Sequence, residues 1–257
     1  TGSAVAAAFN KKKNVRVVVL FPKGGVTARQ KQGLVCWGDN VLSVEVDGSF
    51  DDCQAMLKRA LANPWWQQNT IINTANSINI ARLLPQLTYY AYHSWCFYRN
   101  YKEKPGIIIP SGNLGNAFAA CMAQRIGFPI RAIAMSVNAN RPVIDYWQSG
   151  VYQSKPTVKT LANAMDVGNP SNLDRLHYLY GDIATIKKYI TVEQVLDEAI
   201  KATIQEIYTA EESIVCPHTA TALTMRKQLD DAPWLVAATA HPCKFEQVIE
   251  PIINEDV

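Results

Sequence analysis

Ile107-Ile108-Ile109-Pro110, followed directly by Ser111-Gly112-Asn113-Leu114-Gly115-Asn116, is the stretch that most narrows what this chain folds into. An uninterrupted apolar run has no polar face, so it reads as a strand buried on both sides, as in parallel sheets covered by helices. The loop then leads into a helical pattern from Leu114 to Ile126, ended by Gly127. The same alternation occurs earlier: Val15 to Phe21 is a strand bounded by Pro22-Lys23-Gly24-Gly25, Ala28 to Cys36 is helical, and Val41 to Val46 is a strand. Asp51 and Asp52 suit the positive N-terminal end of a helix running through Leu61. Strands alternating with helices predict an α/β protein with two open parallel-type sheets wrapped by helices. Asn63-Pro64-Trp65-Trp66 closes the first region, which predicts a smaller α/β domain at 1–65 and a larger one at 66–257.

In the larger region, Ile78 to Tyr98 reads as a helix kinked or begun late at Pro85, with Tyr89, Tyr90, Tyr92, Trp95 and Phe97 as packing residues. The same aromatic stretch fits a homodimer interface, so monomer and homodimer both stay open. Gly106 to Pro110 and Ile130 to Val137 are strands, and Pro142, Pro156 and Pro170 interrupt the pattern between 138 and 192. Val192 to Tyr208 and Ala220 to Leu229 read as helices, Ser213 to Cys216 and Trp234 to Thr239 as strands.

Composition limits the partners. With 257 residues, 48% hydrophobic and 18% charged, the chain is neither disordered nor collagen-like. A chain of this size buries about three quarters of its unfolded surface and needs no disulfide or metal to hold a core. Cys36, Cys53, Cys96, Cys121, Cys216 and Cys243 are scattered without a CxxC pair, so neither a zinc site nor a disulfide framework is signalled, and a reducing cytoplasm is the expected location. The net charge of +3 is modest and Lys11 to Lys13 reads as a solvated loop, which argues against nucleic acid as a partner. No apolar run reaches the ~20 residues of a membrane span.

Four places carry chemistry. The loop Ser111 to Asn116 points backbone N–H groups at one spot, and with the partial positive charge of the helix start it forms a phosphate cradle. It is neither a Walker loop, lacking Gly-Lys-Ser/Thr, nor a dinucleotide fingerprint, lacking a third glycine. The pattern equally describes a glycine-rich turn that only caps a helix. Asn76-Ser77-Ile78-Asn79-Ile80-Ala81-Arg82 gathers polar residues at a helix start, with Ser77 and Arg82 able to share an anion; an N-capped helix with a solvated arginine is the simpler alternative. Val215-Cys216-Pro217-His218-Thr219 turns into a helix, and Leu235 to Thr239 delivers Thr239 and His241 to the carboxyl end of a strand, where ligands bind in open α/β sheets. Thr1-Gly2-Ser3 reads as a turn leading into Ala4 to Phe9 with Ser3 as N-cap, and a turn and helix with no strand feeding them predict a chain cut inside a fold.

Taken together, these places resemble the threonine synthase family of pyridoxal-phosphate enzymes, fold type II, of the tryptophan-synthase-β type. The resemblance runs through Thr1-Gly2-Ser3-Ala4, Phe21-Pro22-Lys23-Gly24-Gly25-Val26, Phe50-Asp51-Asp52-Cys53-Gln54, Asn76-Ser77-Ile78-Asn79, Pro110 to Asn116, Ala164-Met165-Asp166-Val167-Gly168, Pro217-His218-Thr219-Ala220 and Thr239-Ala240-His241-Pro242. It implies pyridoxal 5'-phosphate as cofactor in the larger domain, its phosphate held by Ser111, Gly112, Asn113, Leu114, Gly115 and Asn116, with Thr239 facing its pyridine nitrogen. It further implies that Thr1, Gly2 and Ser3 grip the substrate carboxylate and that Asn76, Ser77 and Arg82, with Lys23 a lesser candidate, receive the substrate phosphate. The implied reaction turns O-phospho-L-homoserine and water into L-threonine and phosphate, with no metal. His218 and Thr219 resemble a segment near the active site without an assigned step.

The family's Schiff-base lysine lies in a short Phe-Lys-Asp-like motif upstream of the turn matching Thr1, so no catalytic lysine is expected within this chain. Lys23 and Lys244 match other family segments and are rejected for that role. The reading is therefore a threonine synthase shortened at both ends, an enzyme as the parent protein and inactive as this chain alone. The alternative is a non-catalytic threonine-synthase-like protein that binds a phosphate-bearing ligand or partner. Generic Rossmann nucleotide binding is disfavoured, because an acidic residue at the expected spacing is also missing.

Overall fold

The computed structural model describes residues 2–257. The chain forms two compact units, residues 1–75 and 76–257. The first contains α1 (Gly2–Phe9), β1 (Val17–Pro22), α2 (Ala28–Val35), β2 (Val41–Val46), α3 (Phe50–Ala62) and α4 (Pro64–Asn69). Its two strands pair in parallel, Val17 opposite Val41. Both middle helices start in capping boxes, Thr27 with Gln30 and Ser49 with Asp52, each satisfying two otherwise unpaired backbone N–H groups.

Ser3 lies inside α1 rather than capping it, because the helix already begins at Gly2. A Cβ on Gly2 would sit 2.9 Å from Leu34 Cδ2, so this glycine serves close packing of α1 rather than a turn. Thr1 lies outside the described residues.

The second unit contains α5 (Leu84–Tyr101), β3 (Gly106–Pro110), α6 (Gly115–Arg125), β4 (Ile133–Val137), α7 (Pro142–Ser149), α8 (Leu173–Tyr180), α9 (Ile183–Tyr189), β5 (Ile190–Gln194), α10 (Asp197–Glu211), α11 (Pro217–Arg226), β6 (Trp234–Val236) and α12 (Glu246–Ile253). Its sheet runs β5-β4-β3-β6, every neighbouring pair parallel. Every residue of β3 and β4 is buried, as the unbroken apolar run of Ile107 to Ile109 requires. Among the described residues, no helix is long and apolar enough to cross a membrane.

Four expectations need correction. The helix expected from Val192 starts at Asp197, because Ile190 and Val192 alternate with exposed or half-buried neighbours and form β5. Ser213 to Cys216 joins no sheet; Cys216 instead caps α11 by accepting the Thr219 N–H on its sulfur. The last strand stops at Val236, three residues short of Thr239. Ala237 still donates to the Ile108 carbonyl at 2.9 Å, but the next rung needs an N–H from position 110, and Pro110 has none. Pro142 starts α7 rather than breaking the pattern, since proline's fixed φ suits a first helical turn.

α5 begins at Leu84 with Pro85 in its first turn, after a separate 3-10 turn at Ile80–Arg82. Of its aromatics, Tyr90 is buried, whereas Tyr89, Tyr92 and Trp95 are 39%, 64% and 52% exposed, so the packing role assigned to these three is corrected.

Candidate functional site

At the carboxyl edge of β3 the chain leaves the sheet through Ser111, whose N–H donates to the Ser136 carbonyl on β4 at 2.9 Å. The loop ends at Leu114, which takes a left-handed conformation with φ 60° and starts α6 without any side-chain cap. The N–H groups of a first helical turn have no partner inside the helix, and they carry the positive end of its dipole. An uncapped helix start behind a tight loop is a seat for a phosphate.

The loop is clasped from two sides. A Cβ on Gly112 would lie 2.6 Å from Met165 Cα and 2.8 Å from its carbonyl oxygen, so the 3-10 turn Asn163–Met165 presses on the loop backbone. A Cβ on Gly115 would lie 3.0 Å from Leu83 Cδ2 and 3.1 Å from Ser77 Cβ. Ser111 is buried, yet its hydroxyl has no hydrogen-bond partner among the described residues.

Asn113 ties the loop to two further segments. Its Oδ1 accepts from the Ser171 N–H at 2.6 Å and the Ser171 hydroxyl at 3.0 Å, which fixes its Nδ2 as the donor to Ser77 Oγ at 2.8 Å. Asn172 Nδ2 donates to the Asn113 carbonyl at 2.8 Å and to the same Ser77 Oγ at 3.1 Å. A hydroxyl has two acceptor sites and one proton. With both acceptor sites taken, Ser77 can offer a new partner only its proton, which suits an anion. Nothing in the local sequence pattern marked Ser171 or Asn172, which lie in an irregular stretch 58 and 59 residues from Asn113.

Asn116 turns its side chain toward α5. Tyr90 donates to its Oδ1, and its Nδ2 donates to Gln86 Oε1 at 2.8 Å and to the Tyr89 hydroxyl. Burial raises the pKa of Tyr89, countered in part by Asn116, Tyr90 and the positive charge of Arg82. Arg82, half-buried at the end of the turn Ile80–Arg82, makes no side-chain hydrogen bond or ion pair among the described residues. Asn76 uses Oδ1 to accept the Ile78 N–H at 3.1 Å, and Arg175 donates to the Ile78 carbonyl at 2.6 Å, holding the Ser77 segment in place.

Asp166, next to the pressing turn, accepts from Thr160, Asn138 and Asn140. Burial pushes its carboxyl up to about 6, against the hydrogen bonds that favour its charge. His218 is buried and accepts the Ala164 N–H on Nε2 at 3.1 Å. Its proton therefore sits on Nδ1, and burial lowers its pKa to about 4.

Thr239 is exposed three residues beyond β6, its hydroxyl without a hydrogen bond among the described residues. The second unit thus brings together Ser77, the whole loop Ser111 to Asn116 and, through Asn116 and Tyr89, Arg82. Gly2, Ser3 and Lys23 belong to the first unit, where Lys23 is exposed and its N–H extends the β1–β2 ladder to the Val46 carbonyl.

A family profile described as pyridoxal-phosphate dependent enzyme matches residues 1–237. A threonine synthase from Serratia marcescens is 37% identical over 260 residues, covering 100% of this chain and 60% of that protein. The crystal structure of threonine synthase from Escherichia coli superposes with a TM-score of 0.93 at 34% identity, covering 100% of this chain and 60% of that one. The pyridoxal-phosphate-bound threonine synthase from Brucella melitensis gives 0.83 at 25% identity, covering 100% and 61%. The chain spans about 60% of the length of the curated relatives it matches.

A phosphate-bearing cofactor fits the residues present: an uncapped helix start, an unpartnered buried serine hydroxyl and two glycines that leave the loop backbone bare. From the sequence match, the shared fold and this fit, the chain belongs to the pyridoxal-phosphate dependent enzyme family, fold type II.

Proposed function

We propose that the whole protein to which this chain belongs acts as a threonine synthase, converting O-phospho-L-homoserine and water to L-threonine and phosphate. Pyridoxal phosphate, when bound, supplies an electron sink that lets protons leave carbon. The chain's own residues bind and orient. In this reading the Ser111 hydroxyl and the backbone N–H groups from Gly112 to Asn116 hold the cofactor phosphate. Thr239 offers a neutral hydroxyl to the pyridine nitrogen. Asn76, Ser77 and Arg82 receive the substrate's phosphate, Lys23 assists there, and Thr1, Gly2 and Ser3 grip its carboxylate. A guanidinium and a serine proton stabilise the charge that grows as phosphate leaves, which lowers the barrier more than a contact made equally with the bound substrate.

The observation that carries the reading is Ser77. Two amide donors occupy its acceptor sites within contact of the α6 start, so a hydroxyl left with only its proton to donate lies directly beside the uncapped helix start. We also place the reaction in the cytoplasm, a reading supported by six cysteines free of disulfides. The test is direct. The protein, produced over the full length of the relatives it matches, is supplied with pyridoxal phosphate and O-phospho-L-homoserine, and threonine and released phosphate are measured in equal amounts. Stoichiometric cofactor binding with no threonine formed would overturn the reading.

A further inference from the structure

The first turn of α11 reaches the phosphate cradle by two separate routes. On one side His218, 2% exposed, accepts the Ala164 N–H on Nε2 at 3.1 Å. Ala164 is the middle residue of the turn Asn163–Met165, and the backbone of Met165 lies against Gly112 so closely that a Cβ there would sit 2.6 Å from Met165 Cα. On the other side the Thr221 hydroxyl pairs with Ser136 Oγ at 2.7 Å, and the Ser136 carbonyl accepts the Ser111 N–H at 2.9 Å. Thr221 also donates to the His218 carbonyl at 2.7 Å, so the two routes share one backbone turn. The His218 ring packs on Phe245 with centroids 4.8 Å apart, which fixes its plane.

We propose that His218 is a positioning residue for the phosphate cradle: as a neutral imidazole it anchors the Ala164 N–H, presses the Asn163–Met165 turn onto Gly112 and so holds the width of the loop. The proposal rests on the cradle reading above. The chemistry calls for an unprotonated ring nitrogen, because an imidazolium has no acceptor and would leave the Ala164 N–H without its partner in a buried place. His218 acts through the turn, by its hydrogen bond with Ala164. A glutamine side chain can bring an acceptor near the place of Nε2, whereas asparagine is too short to do so.

The test compares the wild-type protein with H218Q and H218N, using pyridoxal phosphate and, as a probe without phosphate, pyridoxal, both by equilibrium dialysis. H218N should weaken pyridoxal phosphate by about tenfold or more, since sub-ångström shifts in a positioned site carry losses of this order. H218Q should recover most of that loss, and pyridoxal affinity should stay level across the three proteins. A general loss of structure would weaken both probes alike. H218N binding pyridoxal phosphate as well as wild type, or equal losses for both probes, would overturn the proposal. If H218N fails to fold, nitrogen-15 spectra of histidine-labelled wild type decide: the Nδ1–H tautomer at neutral pH with a slowly exchanging Ala164 amide supports the anchor, and an Nε2–H tautomer overturns it. A wild-type protein that binds no pyridoxal phosphate would instead overturn the cradle reading itself.

Discussion

Replacing Gly112 by alanine tests the cradle with a single methyl group. The added Cβ would stand 2.6, 2.8 and 2.9 Å from the Cα, carbonyl oxygen and carbonyl carbon of Met165. Comfortable carbon contacts lie near ~3.5–4.0 Å, so loop and turn must part by about 1 Å. No side-chain rotation relieves the clash, since all three atoms are backbone. The turn is held by the Ala164 N–H on His218, and the Asp166 carboxylate beside it is gripped by Thr160, Asn138 and Asn140. Overpacking a close-packed site costs ~1–3 kcal/mol, and the upper half of that range is expected here, equivalent to a loss of about 4–12 °C in melting temperature for the second unit. Pyridoxal phosphate affinity should fall about tenfold or more. Gly150→Ala serves as the control: its φ of 75° brings backbone strain, but no atom lies within 4 Å of the new Cβ. It should cost roughly 1–2 kcal/mol and leave affinity unchanged. Thermal melts and equilibrium dialysis on the three proteins read both quantities. G112A binding pyridoxal phosphate with wild-type affinity would refute the idea that the width of this loop matters.

Four further outcomes are expected. In the full-length protein, Arg82→Lys should raise KM for O-phospho-L-homoserine about tenfold with cofactor affinity unchanged, because an ammonium cannot reproduce the planar two-point grip of a guanidinium; an equal loss of cofactor would show a different role. The buried pair Ser136–Thr221 at 2.7 Å should lose ~1–3 kcal/mol in either Ser136→Ala or Thr221→Val, with the double variant well short of the sum, in a urea-denaturation cycle. Asp166 has its pKa raised by burial from 3.8 to about 6, so the folded state keeps this proton after the unfolded chain has released it, and stability falls as pH rises through that window and then levels. Asp166→Asn should lack that part of the fall, and urea melts with the same slope in both proteins would contradict it. Native labelling with a thiol reagent should modify the exposed Cys36 and Cys243 and spare Cys121, a buried thiol whose pKa burial pushes up to about 12.

What the chain showed in its residues depended on how far each interaction reaches. β2 and β3 were legible to the residue because a valine-rich run broken only by Ser43 and Glu45, and an unbroken isoleucine run, end at turn or proline signals. The loop Ser111 to Asn116 was legible for the same reason, as a local pattern between strand and helix. The region from 138 to 192 was not, because its order comes from polar side chains meeting across the chain: Asn138 with Thr160 at 22 residues and Asn140 with Asp166 at 26. No period of 2 or 3.6 records such pairs. Ser77 was visible as a polar residue at a helix start, but its two amide donors, 36 and 95 residues away, were not. His218 was noticed as an isolated histidine, and its meaning lay 54 residues upstream at Ala164. The Thr239 strand failed on one missing hydrogen, the N–H that Pro110 lacks.

α6 starts without a side-chain cap, behind a leucine held at φ 60°, so the fold leaves its own helix terminus unfinished at the carboxyl edge of the sheet. Whatever anion fills that terminus completes the helix. Stability of the second unit then becomes a measure of occupancy: a ligand that binds only the folded state adds about 2.7 kcal/mol at a hundredfold excess over its Kd. Where the cofactor is scarce the second unit would be the softer, and turnover of the chain would track cofactor supply without any dedicated sensor.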